Sequence, residues 1–232
     1  MSQPGYKQFC PVAMAAEILC TRWTVVLIRE LVAGSTRFND LRRGVPKMSP
    51  TLLSQRLRDL ECSGIVERRA VPGARGVFDY RLTKAGRELQ PIVEAMGTWG
   101  QRWVQSDSAL AANLDPTLLM WDMRRNLKTA PLPRRRSVIE FHFTDAPRSA
   151  RSWWLVVEPR GDVDLCMIDP GFEVDLLVST NVETMTSIWM GLTTVADSSR
   201  QLVFSGDREI ARKMQAWLGL SPFASVPRPA AA

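Results

Sequence analysis

The chain has 232 residues, 45% hydrophobic and 23% charged, a balance typical of a globular protein with one large or two ordinary domains. It has no apolar run long enough to span a membrane, and residues 1–9 lack the pattern of a secretory signal, so we expect a cytoplasmic protein. The four cysteines have no CxxC spacing and no histidine cluster, which disfavours a zinc site and a disulfide framework.

The charge is divided unequally along the chain. Residues 1–107 contain sixteen Lys or Arg against ten Asp or Glu, whereas residues 108–232 contain fourteen of each. A basic excess confined to one half is typical of a surface that faces nucleic-acid phosphates. The alternative is a basic face that is only solvated.

Three helices are predicted first. Cys10-Pro11 begins a helix over residues 12–19, because proline fits the first helical position. A second helix runs from Trp23 to Gly34, where glycine adopts the left-handed conformation freely. A third covers residues 37–43 and ends before a Gly-Val-Pro turn.

The next helix has the clearest signals of the chain. Ser49 is a good N-cap residue, and Pro50 fits the position that follows it. Leu53, Leu57 and Leu60 recur at i, i+4 and i+7, so they predict one buried helix face.

A β-hairpin is predicted directly after this helix. Ser63-Gly64 ends the helix, and a strand begins at residue 65. Residues 72–76 have the composition of a hairpin tip, and residues 77–82 form the returning strand. Two helices followed by such a hairpin predict a winged helix-turn-helix that binds DNA.

The side chains opposite the leucine face are candidates for contacts in the major groove. Arg58 can pair with guanine and Gln55 with adenine, while Ser49 lies beside a phosphate at the helix start. The full set of these candidates is Ser49, Thr51, Ser54, Gln55 and Arg58.

Other basic residues are candidates for the minor groove and for the DNA backbone. Arg75 at the hairpin tip is the candidate for the minor groove. The alternative for each arginine is a solvated surface position. The candidates for phosphate contacts are Arg37, Arg42, Arg43, Lys47, Arg69 and Arg81.

Taken together, these motifs closely resemble the HxlR-type regulators, relatives of the MarR group, over about residues 8–104. The motifs are Cys10-Pro11-Val12, Arg22-Trp23-Thr24, Arg37-Phe38-Asn39-Asp40-Leu41, Met48-Ser49-Pro50, Gln55-Arg56-Leu57 and Tyr80-Arg81-Leu82-Thr83. The resemblance implies a homodimeric, cytoplasmic transcriptional regulator that binds double-stranded DNA sequence-specifically. The chain departs from the family at Leu19-Cys20-Thr21, where glycines are usual, and in its wing sequence.

Cys10 has two interpretations. A thiol at a helix start is activated because the helix dipole stabilises the thiolate, and the resemblance implies sensing of oxidants or electrophiles at this position. The alternative is a cap residue whose thiol has no role.

Thr83 is predicted to cap a helix that reaches Trp103 and is interrupted near Pro91. Its apolar stripe needs a partner, either the C-terminal half or a second copy of the chain. The resemblance favours a homodimer formed together with the first helix, and a dimer requires a near-palindromic operator. The stripe comprises Leu89, Ile92, Val93, Met96, Trp99, Gly100 and Trp103.

The C-terminal half predicts an α+β domain. Residues 105–116 are interpreted as a linker and residues 118–127 as a helix. Strands at 138–143, 153–158, 163–168 and 174–178 have hairpin-like spacing, which predicts an antiparallel sheet. A helix over 182–189, a strand over 202–204 and a last helix over 210–218 complete the predicted α+β fold.

Residues 135–220 also resemble the sterol-carrier-like fold, in which a sheet and helices enclose an apolar tunnel. The resemblance is carried by Val174-Asp175-Leu176-Leu177-Val178, Ile188-Trp189-Met190-Gly191 and Ser205-Gly206-Asp207. It implies an apolar small-molecule effector, and the alternative is a closed core. The candidate ligand-binding residues are Met185, Ile188, Trp189, Met214 and Trp217.

The sequence therefore predicts a winged helix-turn-helix domain over residues 1–107 and a sterol-carrier-like α+β domain over residues 108–232. No catalytic residues, metal or cofactor are predicted, since His142 is the single histidine and has no nucleophile arrangement around it. One alternative function is a carrier of lipid-like molecules that is tethered to DNA. Another is a general DNA-coating protein.

Overall fold

The computed structural model describes residues 5–104 and 107–227, without the side chains of 107–109. The chain divides into two compact units between Gly97 and Thr98, ten residues before the boundary expected from the sequence. The division falls inside the helix of residues 90–103, which is described with the first unit. Within the described ranges no single helix is long and apolar enough to cross a membrane, and one bent helix pair at 11–32 passes that test by length and composition only.

The N-terminal unit is a helical domain with a two-stranded hairpin. Its elements are α1 (Pro11–Leu19), α2 (Thr24–Val32), α3 (Phe38–Gly44), α4 (Pro50–Cys62), β1 (Val66–Ala70), β2 (Phe78–Leu82), α5 (Lys84–Arg87) and α6 (Gln90–Trp103). The predicted interruption near Pro91 is confirmed, because α5 and α6 are separate helices.

Helix α4 has the predicted cap and the predicted buried face. The Ser49 hydroxyl accepts a hydrogen bond from the backbone N–H of Leu52 at 3.3 Å. Leu53, Leu57 and Leu60 are at most 1% exposed and pack in a core with side chains of α2 and α3. The helix therefore turns its other side to solvent.

A buried charge lies where α3 approaches α2. The Glu30 carboxylate is fully buried, pairs with Arg29 at 2.7 Å and accepts a hydrogen bond from Ser35. A Cβ at Gly44 would collide with this carboxylate, so glycine is needed at the end of α3. Arg29 also donates to the Gly44 carbonyl at 3.3 Å.

The wing is an antiparallel hairpin in which Val66 lies opposite Leu82. Gly73 and Gly76 both have positive φ, as the tight tip between the strands requires. The Tyr80 N–H donates to the Thr36 carbonyl at 2.8 Å, which ties the returning strand to the segment before α3.

The C-terminal unit has a five-stranded sheet with the strand order β5-β4-β3-β6-β7. Its elements are α7 (Asp107–Ala112), α8 (Pro116–Asn126), β3 (Ser137–Phe143), β4 (Ser152–Val157), β5 (Val163–Cys166), β6 (Leu176–Thr180), α9 (Val182–Trp189), β7 (Val203–Gly206), α10 (Arg208–Arg212) and α11 (Met214–Trp217).

The prediction of a purely antiparallel sheet is wrong. Strands β3 and β6 pair in parallel, with Ile139 opposite Leu176. After β5, residues 167–175 carry the chain back across the sheet, so β6 enters beside β3 in the same direction. The four strand positions were visible in the sequence, but strand periodicity does not specify which strand is the partner.

Two further expectations need correction. The segment 105–116 is not wholly a linker, because α7 occupies Asp107–Ala112, while Gln105 and Ser106 lie outside the described residues. Alanine and leucine, which favour helices, supply four of the six residues of α7. The last helix is divided into α10 and α11 at Lys213.

The core of the C-terminal unit lies on one face of this sheet. Ile139, Phe141 and Phe143 alternate along β3 and are fully buried among side chains of the helices. The ring of Trp217 meets that of Phe141 edge to face, with centroids 6.4 Å apart. Its indole N–H donates to the Ile210 carbonyl at 2.8 Å, so this large side chain is both buried and satisfied.

Candidate DNA interface

The solvent side of α4 carries the predicted reading face. Thr51, Gln55 and Arg58 are exposed and Ser54 is half-buried, all on the side away from the three buried leucines. Ser49 is exposed but its hydroxyl is engaged by the helix cap. The inner face of α4 is buried, and its outer face presents one hydroxyl, one amide and one guanidinium to solvent. These groups can form hydrogen bonds with the edges of DNA bases.

The polar side chains of α4 form a continuous hydrogen-bonded row. Arg58 Nη2 donates to Gln55 Oε1 at 2.9 Å, and Gln55 Nε2 donates to Asp59 Oδ1 at 2.8 Å. The other Asp59 oxygen accepts from Arg56 Nη1 at 2.8 Å. Arg56 Nε donates in turn to the Arg22 carbonyl at 3.2 Å, before α2.

Asp59 was not among the residues predicted from the sequence. Its position four residues after Gln55 is the spacing at which glutamine and aspartate hydrogen-bond along a helix, and this signal was available. The helical periodicity turns Arg56 toward the flank of the buried face, and there its side chain donates to the Arg22 carbonyl and to Asp59.

Arg75 lies at the exposed tip of the wing. Within the described part of the chain it has no ion-pair partner. Arg68, on the neighbouring strand, lies over the Phe78 ring at 3.5 Å from the centroid, so its charge is held against the wing itself. The tip arginine is thus the better placed of the two for a narrow groove.

Four of the six candidate phosphate contacts are arginines that pair with carboxylates of the same unit. Arg37 and Arg81 share Asp79 at 2.9 and 3.3 Å, and Arg43 pairs with Asp40 at 3.1 Å. Arg69 pairs with Glu67 at 2.6 Å. The Arg43 and Arg69 pairs are exposed and contribute about 0–1 kcal/mol, so these two guanidinium groups are available to a phosphate. Arg37 and Arg81 also neutralise Asp79, whose side chain is only 15% exposed.

The remaining two candidates, Arg42 and Lys47, are exposed, one in α3 and the other in the turn before α4. Lys47 lies two residues before the Ser49 cap of α4, where free backbone N–H groups favour an anion. The six candidates lie on α3, in the turns around it and on the two strands of the wing.

Cys10 is the N-cap residue of α1 and is half-buried. The backbone amides of Ala13 and Val12 stabilise its thiolate and so lower the pKa of the thiol. At a pH below the pKa of an ordinary thiol, a larger fraction of the Cys10 side chain is therefore the nucleophilic thiolate.

Helix α6 has one apolar side in solvent. Ile92, Met96, Trp99 and Trp103 are 47–61% exposed, whereas Val93 is buried in the core of the N-terminal unit. In α1, Val12 and Met14 are 76% and 59% exposed. Apolar surface of this extent is typical of a protein interface.

The five candidate ligand-binding residues lie together in the core of the C-terminal unit. All are buried, and the largest exposure among them is 8%, for Trp189. The Trp189 indole N–H is buried and has no hydrogen-bond partner among the described residues.

Metal binding and catalysis each require particular side-chain arrangements. No cluster of three His, Cys, Asp or Glu in the described ranges is placed to hold a metal ion. His142 Nδ1 lies 3.1 Å from the Ser152 hydroxyl across neighbouring strands, so this ring nitrogen and the hydroxyl are hydrogen-bonded to each other.

The N-terminal part of the chain is similar to known proteins. The HxlR-like helix-turn-helix family matches residues 18–108. YvaP of Bacillus subtilis, an uncharacterized HTH-type transcriptional regulator, is 34% identical over 42% of this chain and 91% of its own. The HTH-type transcriptional regulator YodB of the same organism is 32% identical over 41% and 87%.

A solved structure gives a similar match. The redox regulator HypR in its reduced form is 35% identical over 40% of this chain and 91% of its own, with a TM-score of 0.38. The family match ends at residue 108 and does not extend over the sheet of the C-terminal unit. Because relatives more than 30% identical are matched over most of their length, the chain belongs to the HxlR-like helix-turn-helix family and is a DNA-binding transcriptional regulator.

Proposed function

We propose that the protein is a cytoplasmic homodimer that reads a near-palindromic operator with α4 of each protomer. The observation that carries this proposal is the polar outer face of α4, which is fixed by three buried leucines on its inner face. Thr51, Ser54, Gln55 and Arg58 contact base edges in the major groove, and Arg75 enters the adjacent minor groove.

The phosphate contacts are assigned to the residues around this face. Ser49 and the start of α4 lie beside one phosphate, and the surrounding cations hold the DNA backbone on either side. These residues give affinity and register but no sequence preference. The set comprises Arg37, Arg42, Arg43, Lys47, Arg69 and Arg81.

The exposed apolar sides of α6 and α1 support dimerisation. The side chains of Met96, Trp99 and Trp103 are mostly in solvent, and a second copy would bury them. Two reading helices related by a two-fold axis require half-sites about 10 base pairs apart.

Gln55→Ala and Arg58→Ala should each weaken binding to the operator by about 1–3 kcal/mol and leave binding to random DNA nearly unchanged. The reason is that each change removes a base contact and no phosphate contact. The measurement is a titration of labelled operator and random duplex at one fixed salt concentration.

Arg75→Ala and Arg212→Ala are the comparison variants. Arg75→Ala should weaken binding to both duplexes and reduce the salt dependence, because a contact to the narrow groove is largely electrostatic. Arg212 is an exposed arginine of the C-terminal unit, and its removal should change neither affinity. Wild-type affinity of both α4 variants for the operator would refute the assigned reading face.

We also propose that oxidation of Cys10 regulates DNA binding. Its position at the start of α1 and its lowered pKa support this role. The thiol lies on the same helix as Val12 and Met14, so a modification there changes a surface assigned to the dimer.

Cys10 should therefore react with iodoacetamide faster at neutral pH than the exposed Cys20 and Cys62, and its rate should fall only at lower pH. The measurement is peptide mass spectrometry of the labelled protein over a pH series. Peroxide should change operator affinity in the wild type and in Cys62→Ser but not in Cys10→Ser. Equal, slow labelling of all three thiols would make Cys10 a cap residue only.

For the C-terminal unit we propose a sterol-carrier-like domain that binds an apolar small-molecule effector. The specific observation in favour is the buried, unpartnered indole N–H of Trp189 among the candidate lining residues. An unsatisfied buried donor costs about 1–3 kcal/mol, and a polar atom of a ligand would satisfy it. Met185, Ile188, Met214 and Trp217 would supply the apolar lining.

Denaturation of the purified protein should release a bound apolar compound detectable by mass spectrometry. Trp189→Phe keeps an aromatic ring but removes the donor, so it should retain less of the compound. An effector must also change operator affinity, and operator must change effector affinity by the same factor. A bound compound without this reciprocity would indicate a carrier tethered to DNA, and no compound in either protein would indicate a closed core.

A further inference from the structure

Gln55 lies between two charged groups that can each play only one role in a hydrogen bond. The Asp59 carboxylate only accepts, and the Arg58 guanidinium only donates. The amide nitrogen of Gln55 therefore has to face Asp59, at 2.8 Å, and its oxygen has to face Arg58, at 2.9 Å. The two neighbours fix the orientation of an amide that would otherwise be free to turn over.

Asp59 is itself held from a second direction. Its other oxygen accepts from Arg56, whose Nε is bonded to the Arg22 carbonyl outside α4. The side chain of Arg56 is only 20% exposed, so this connection lies at the edge of the packed domain. The orientation of Gln55 is therefore tied to the body of the unit and not only to its own helix.

This orientation determines which base edge the row can meet. To pair bidentately with adenine, glutamine has to accept from the N6 amino group with its oxygen. In the structure one lone pair of that oxygen accepts from Arg58, so an adenine N6 amino group could reach the other lone pair only beside the Arg58 guanidinium, donor against donor. The Arg58 guanidinium and the second N–H of the Gln55 amide are donors, and the major-groove edge of guanine presents two acceptors, O6 and N7.

We infer that Gln55 and Arg58 read guanine as one unit and that Asp59 is the positioning residue that excludes adenine. This inference rests on the proposed function, in which α4 enters the major groove. It replaces the expectation from the sequence that Gln55 pairs with adenine by itself. Asp59 acts through Gln55 and needs no contact with DNA.

The test compares base preference in variants of the full chain. The position read by Gln55 is first located as the base pair at which Gln55→Ala loses its preference. There the wild type should bind guanine about tenfold or more tightly than adenine, as a bidentate contact allows. Asp59→Ala should reduce this ratio towards one, because the freed amide can turn its oxygen to adenine.

Two further variants test whether the orientation of Gln55 sets the base preference, rather than the negative charge of Asp59 or a loss of folded protein. Asp59→Glu keeps an acceptor-only carboxylate and should restore the preference for guanine. Glu61→Ala removes the same charge from an exposed position on α4, so it should strengthen binding to every duplex without changing the ratio. The ratio is measured within one variant, so a loss of folded protein does not alter it.

The other outcomes overturn the inference in distinguishable ways. If Asp59→Ala keeps the wild-type ratio, or if the wild type prefers adenine at that position, Asp59 does not set the preference, although α4 still reads DNA. If the wild type binds all duplexes equally, or if Gln55→Ala changes no preference, the proposed function fails together with the inference.

Discussion

Burial of the leucine face of α4 is the interaction on which the DNA-binding surface depends. Leu53, Leu57 and Leu60 contribute about 1.5–3 kcal/mol each when fully buried, whereas the Ser49 cap contributes about 1 kcal/mol. Packing therefore sets the rotation of the helix, and the cap sets where it begins. Because successive residues are about 100° apart around a helix, a shift of one residue would turn Gln55 away from the exposed polar face. Beside the core that receives the leucines, α3 approaches the buried Glu30 closely at Gly44, and Arg29 donates to the Gly44 carbonyl.

The charged side chains of the N-terminal unit form two different arrangements, a basic surface and a hydrogen-bonded row on α4. Its basic excess favours any DNA, while some of its outer arginines, such as Arg43 and Arg69, are already paired with carboxylates of the same surface. Exchange of such a carboxylate for a phosphate costs little, since exposed pairs are weak. The row on α4 differs because its members are bonded to one another and to the Arg22 carbonyl. We therefore propose that affinity and sequence preference have separate physical sources in this domain.

Local patterns in the sequence predicted much of the N-terminal unit and less of the C-terminal one. A cap, a proline and three leucines at helical spacing are sufficient to define α4, and two glycines define the tip of the wing. The bond between Gln55 and Asp59 follows a known spacing, but the tether through Arg56 to Arg22 joins residues 34 apart and needs the folded chain. The parallel pairing of β3 with β6 likewise depends on where residues 167–175 lead the chain, and strand periodicity does not contain that information.

We propose that a fixed face of α4, presented twice by a dimer, selects particular base pairs. The most direct measurement is the sequencing of duplexes that the intact protein selects from a random pool at physiological salt. The account predicts enrichment of an inverted repeat with half-sites about 10 base pairs apart and with an invariant position in each half-site. Recovery of unchanged random DNA, although the protein binds it, would contradict this account and indicate a protein that coats DNA through its basic surface alone.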